Sequence, residues 1–177
     1  MRNRIVLGAV CALALLPQDA LPQQPNVPTP KTGATVILID RPRKVTMTRA
    51  LVRRHSSGPE TTPSDRFPGG HAKTRTTNIM PQFEVTVPAD VNPSAITSLV
   101  RLRVTPTWRT VTISPDEVDV RRFTRDDSVQ LVLEHGATSS TDSQYRTYRA
   151  HPFQAIGPGE YALYVNGVYF DFAVVPE

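Results

Sequence analysis

From Gly157 to Val175 the chain reads GPGEYALYVNGVYFDFAVV, two apolar runs joined by Asn166-Gly167. A type I′ turn needs positive φ at both central residues, and Asn-Gly tolerates it best, so the stretch predicts a two-residue hairpin. Pairing then follows by counting: Val165 faces Val168, Leu163 faces Phe170, and Tyr161 faces Phe172. With Val174 these residues make one apolar face. The opposite face carries Ala162, Tyr164, Tyr169, Asp171 and Ala173. An isolated hairpin is marginal in water, so the apolar face predicts a second sheet packed against it.

The same two-residue alternation recurs upstream. Ala34–Ile39 is a short apolar run, and Val45–Arg53 alternates before turning polar. Gln82–Val87 places Phe83, Val85 and Val87 on one face. Leu99–Thr105 turns Val100, Leu102 and Val104 inward and Arg101, Arg103 and Thr105 outward. Trp108–Ile113, Val129–Leu133 and Gln144–Arg149 follow, each bounded by turn residues. Pro88–Ser94 reads as a loop, and 89–99 has room for one helical turn at most. About ten short strands without βαβ spacing predict an all-β, antiparallel β-sandwich, immunoglobulin-like or a related Greek key. Between Arg54 and Asn78 no apolar period is visible, only proline, glycine, hydroxyl and charged residues. Composition predicts a long disordered insertion at 54–78.

The N-terminus changes the picture of where the domain begins. Arg2 and Arg4 precede an apolar run from Ile5 to Leu16, the pattern of a secretory signal and too short for an ordinary membrane span. The expected organisation is a signal at 1–20, a proline-rich spacer at 21–32, and one β-domain at 33–177. Cleavage is expected between Ala20 and Gln24. Cys11, the only cysteine, lies inside the signal, so the mature chain is expected to contain no thiol or disulfide. No long apolar segment follows, so no membrane span is expected in the mature chain. The predicted location is periplasmic or extracellular.

From Tyr145 to Val174 the chain resembles the closing part of small secreted bacterial β-proteins, most of them uncharacterised. In these, a strand ending in tyrosine and arginine leads through a turn to a Pro-Gly-Glu-Tyr-Ala-Leu hairpin and an aromatic last strand. The matching residues are Tyr145, Arg146, Pro158, Gly159, Glu160, Tyr161, Ala162, Leu163, Phe170 and Phe172. The resemblance spans about a sixth of the chain, and it implies an exported sandwich domain and no particular activity.

Charge and candidate chemistry add little to this. The net charge is +4, and seventeen of the twenty basic residues are arginine. His55, His71, His135 and His151 lie no closer than sixteen residues apart, too far for the paired spacing of zinc ligands, so no metal or other cofactor is expected. The acidic stretches at Asp116, Glu117, Asp119 and at Asp126, Asp127 lack the calcium-loop pattern. His135 beside Ser139, Ser140, Asp142 and Ser143 reads as a polar loop, without a nucleophile elbow. There is no phosphate loop and no nucleic-acid module, so no nucleic-acid partner is expected. Two surfaces remain. Arg101, Arg103 and Arg109 are expected to line one outer sheet face suited to an anionic partner such as a surface glycan. Tyr164 and Tyr169 form a weaker candidate, an aromatic platform. The chain thus reads as an exported, non-catalytic module that binds a glycan or another envelope protein, or has a structural role. A small secreted hydrolase with a site of scattered residues is the alternative.

Overall fold

The computed structural model describes residues 33–56, 62–114, 123–136 and 144–177. The expected signal and spacer, the acidic stretch at 116–119, residues 137–143 of the polar loop and residues 57–61 of the expected insertion lie outside the described residues. Along the chain come β1 (Thr35–Asp40), β2 (Arg43–Thr46), β3 (Arg53–His55), β4 (Ser64–Pro68), β5 (Arg75–Thr76) and β6 (Gln82–Pro88). A one-turn helix, α1 (Pro93–Ile96), leads into β7 (Thr97–Val104) and β8 (Trp108–Thr112). Then come β9 (Ser128–Val129), β10 (Leu131–His135), β11 (Tyr145–Pro152), β12 (Gly159–Val165) and β13 (Val168–Val174). The described fold is therefore nearly all β, as the alternation predicts. The helical turn is capped by Asn92, whose side chain accepts from the Ser94 amide, with Pro93 in the first turn where its missing N–H costs nothing.

The C-terminal hairpin forms in the predicted register, Val165 on Val168, Leu163 on Phe170 and Tyr161 on Phe172. Asn166 and Gly167 hold φ values of 47° and 89°, the left-handed geometry that this turn demands. Its apolar face meets a five-stranded sheet of order β10-β11-β6-β1-β2. Val36, Leu38, Phe83, Val85 and Tyr148 from that sheet pack against Leu99, Leu163, Phe170 and Phe172 in one main core. Phe83 and Phe172 lie with ring centroids 5.2 Å apart across the layers.

The other face of the hairpin is covered too. β7 pairs with β12 through Thr97–Leu102 and with β8 through only Arg103 and Val104. Beyond that join, β8, β4 and β3 fold back over the hairpin, and Phe67, Val111 and Phe123 pack on Val100, Leu102, Ala162 and Tyr169. Asp127 fills the seam where β7 leaves β8. Its carbonyl accepts from the Arg101 amide at 2.8 Å, and its carboxylate takes Arg103 Nε at 3.1 Å and the Thr112 amide at 3.0 Å.

Three expectations change. The stretch 54–78 is not one disordered insertion: β4 lies between β3 and β8 with Phe67 and Asp65 buried, and β5 joins β13 in parallel. One phenylalanine and one hydrogen-bonded carboxylate suffice to bury β4, a pattern that apolar periodicity passes over. Val45–Arg53 is not one strand. After β2 it crosses between layers, with Met47 in the main core and the Ala50 amide donating to the Tyr169 carbonyl at 2.8 Å. β7 has no wholly polar outer face, since Leu99 enters the main core while Val100 and Leu102 enter the second.

Candidate functional site

Folding β8 over the hairpin carries Arg109 onto two carboxylates. Cross-strand partners share a sheet face, so Glu160, opposite Ala173, and Asp171, opposite Ala162, both point to the covered side of the hairpin. Arg109 Nη1 lies 2.7 Å from Asp171 Oδ2 and 3.3 Å from Glu160 Oε2. Nε donates to the Gly69 carbonyl at 3.2 Å and Nη2 to the Pro68 carbonyl at 3.4 Å, with the guanidinium 5.7 Å from the Phe67 ring centroid. Arg109 is 3% exposed and Glu160 5%. Desolvation at that depth is offset only if the remaining hydrogen-bonding capacity is largely filled, and here four of the five guanidinium N–H groups donate.

Glu160 does one thing more. Its Oε2 accepts from the Ala72 amide at 2.8 Å, and its Oε1 lies 3.0 Å from His71 Nδ1. A carboxylate only accepts, so Nδ1 is the donor in this contact, and in the neutral imidazole Nε2 is then the acceptor. The His71 side chain is 72% exposed at the rim of a cleft of ≈ 340 Å³. Glu160 lines the cleft together with Val104, Pro158, Ala173, Val174 and Pro176. A carboxylate-oriented imidazole with a free acceptor nitrogen has the geometry of a general base. Among the described residues lining the cleft none carries a hydroxyl or thiol, so a nucleophile there would be water.

The sequence-selected arginines separate. Arg103 pairs with Thr110 and Val104 with Arg109, so Arg109 projects from the face opposite Arg103. Arg109 is therefore an interior cation, and three guanidiniums from Arg101, Arg103 and Arg109 do not share a face. Arg101 and Arg103 do remain together and exposed. Arg101 lies along the hairpin's entry, where its Nη2 would be 3.5 Å from a Cβ placed on Gly159. Tyr164 and Tyr169 are neighbours, centroids 4.9 Å apart, but Tyr169 is 2% exposed and Phe123 packs edge-on against both rings. The pair belongs to the second core and offers no open platform.

Of the histidines, His71 meets Glu160, His135 lies against Tyr148, and His151 Nε2 is 3.6 Å from Glu134. No group of three or more potential metal ligands occurs among the described residues. The sequence does hold a signal for the buried cluster. Two carboxylates on a hairpin face that is otherwise apolar require a cation, although nothing local says which of seventeen arginines supplies it.

No protein-family model, no curated protein and no solved structure matches the chain.

Proposed function

We propose that this protein is an exported, non-catalytic β-module of the bacterial envelope that binds an anionic partner. The observation that carries the reading is the way charge is divided. Asp65, Asp127 and Glu160 are buried and spent on internal contacts: Asp65 on Arg54 and Tyr169 Oη, Asp127 on the β7–β8 seam, Glu160 on Arg109, His71 and Ala72. Arg101 and Arg103 stand exposed on an open sheet face. Export rests on the basic-then-apolar N-terminus, residues 2–16. Retention on an anionic polymer resin should weaken steeply with salt, and Arg101→Ala/Arg103→Ala should elute at lower salt than the parent. Unchanged elution of the double variant rules out these arginines as the binding face.

The cleft supports a second reading, a small hydrolase in which His71, oriented by Glu160, activates water. Turnover of an activated ester that disappears in His71→Gln, with the fold intact by circular dichroism, would establish it. Equal rates for parent and variant would remove it.

A further inference from the structure

We infer that the open face of β3, β4, β8 and β7 is a docking surface for a linear acidic polysaccharide, gripped by Arg53, Arg66 and Arg103. The inference rests on the anionic-partner reading above and gives it a partner and an extent. Arg53 stands opposite Arg66, Arg66 opposite Thr110, and Thr110 opposite Arg103. Partners across a ladder share a face, so the four side chains form one row at right angles to the strands. Three inter-strand steps of about 4.8 Å make the row roughly 14 Å long. Trp108, two residues before Thr110 on β8, lies on the same face beside it.

Folding does not account for this row. Like charges directly opposite each other in a ladder destabilise it, and no ion pair among the described residues engages Arg53 or Arg66. The neighbouring Arg54 shows the contrast. It points to the covered face and is satisfied there by Asp65. Asp127 takes only the Nε of Arg103, so among the described residues the paired Nη edge of the fork is left for a carboxylate or phosphate. A row of this length is too long for one small anion and suits several charged groups repeated along an extended chain. The half-buried Trp108 ring adds a flat apolar surface on which the C–H face of a sugar ring can lie, and Thr110 adds a hydroxyl within the row. The N-terminal export signal selects a polysaccharide over nucleic acid, because outside the cell the abundant linear polyanions are glycans.

Trp108 is the only tryptophan in the chain, so its fluorescence reports on this face alone. The experiment titrates the protein at low salt with polygalacturonate, with dextran, duplex DNA and phosphatidylglycerol vesicles in parallel. Saturable binding to polygalacturonate with a change in Trp108 emission is expected, and none to dextran. Arg53→Gln/Arg66→Gln should weaken binding about tenfold, the size of two solvent-exposed ion pairs. Arg53→Lys/Arg66→Lys, which keeps the charges, should weaken it less. Circular dichroism of each variant separates lost binding from lost fold, and the lysine pair carries the test if the glutamine pair unfolds. Binding that drops in Arg101→Ala/Arg103→Ala but not in Arg53→Gln/Arg66→Gln overturns the row and leaves the anionic-partner reading standing. Binding to no polyanion overturns both. Tighter binding to DNA or vesicles than to polygalacturonate, or binding with unchanged Trp108 emission, overturns the polysaccharide.

Discussion

Arg109 holds two acidic side chains that the fold cannot bury without it. With Arg109→Ala, Glu160 and Asp171 lose their shared cation in a largely buried site, and removing one partner of a buried ion cluster costs up to about 3–5 kcal/mol. Urea denaturation should show that loss. Adding Glu160→Gln and Asp171→Asn should recover part of it, because the uncompensated charges go too. Tyr161 carries the residue-scale pH dependence. Its phenol donates to the Gly157 carbonyl at 2.8 Å, and burial raises its pKa above the ordinary 10.0, with the nearby Arg101 guanidinium pulling the other way. In alkali the unfolded chain therefore gives up this proton first. The stability contribution is complete below pH 10 and is lost as pH rises through the raised folded value. Tyrosinate absorbance should show Tyr161 titrating late, and later still in Arg101→Ala. At this scale the sequence was least informative. Period two places Arg101 and Arg103 on one face correctly, but the face of Arg109 depends on the residue count through the Pro106 turn, which alternation within a strand does not contain.

The hairpin was the most legible element, because its register depends on one dipeptide and on counting outward from it. Leu163 and Phe170 face each other at 0% and 1% exposure. Leu163→Ala should cost about 2–5 kcal/mol and Phe170→Ala about 3–5 kcal/mol in denaturant midpoints, the range for large-to-small changes in a packed core. A loss near zero would mean that the face is not the core. Strands β3 and β4 were illegible for the opposite reason. They are short, their apolar content is a single phenylalanine, and their burial is made by pairing: Asp65 with Arg54 at 3.3 Å and with Tyr169 Oη at 2.7 Å, across 104 residues of sequence. Composition counts such residues as solvent-seeking, and only their distant partners make them interior.

At the scale of the molecule, two cores share three strands, β7, β12 and β13. Sequence patterning treats the second face of an antiparallel hairpin as solvated unless told otherwise. Ala162, Tyr169 and Asp171 are consistent with that treatment until β4 and β8 are laid over them. The overlay is the more separable part, since β8 is joined to β7 by only two paired residues, Arg103 and Val104. Phe67→Ala should therefore act regionally. Amide exchange should accelerate across β3, β4 and β8, while β1, β6 and β11 keep their protection. Uniform acceleration would show instead that the two cores open as one unit.

The placement of β12 and β13 also sets when each core receives its central strands during synthesis. During synthesis at about 5–20 residues per second, everything from Gly33 to Pro158 emerges before the first residue of β12. Until then Phe83 and Val85 on one side, and Phe67 and Val111 on the other, have only β7 between them. Both apolar surfaces therefore lack their main partner on the growing chain until the hairpin arrives. Made after every other described strand, β12 and β13 enter as a late central slab, and each core is completed only when they are in place.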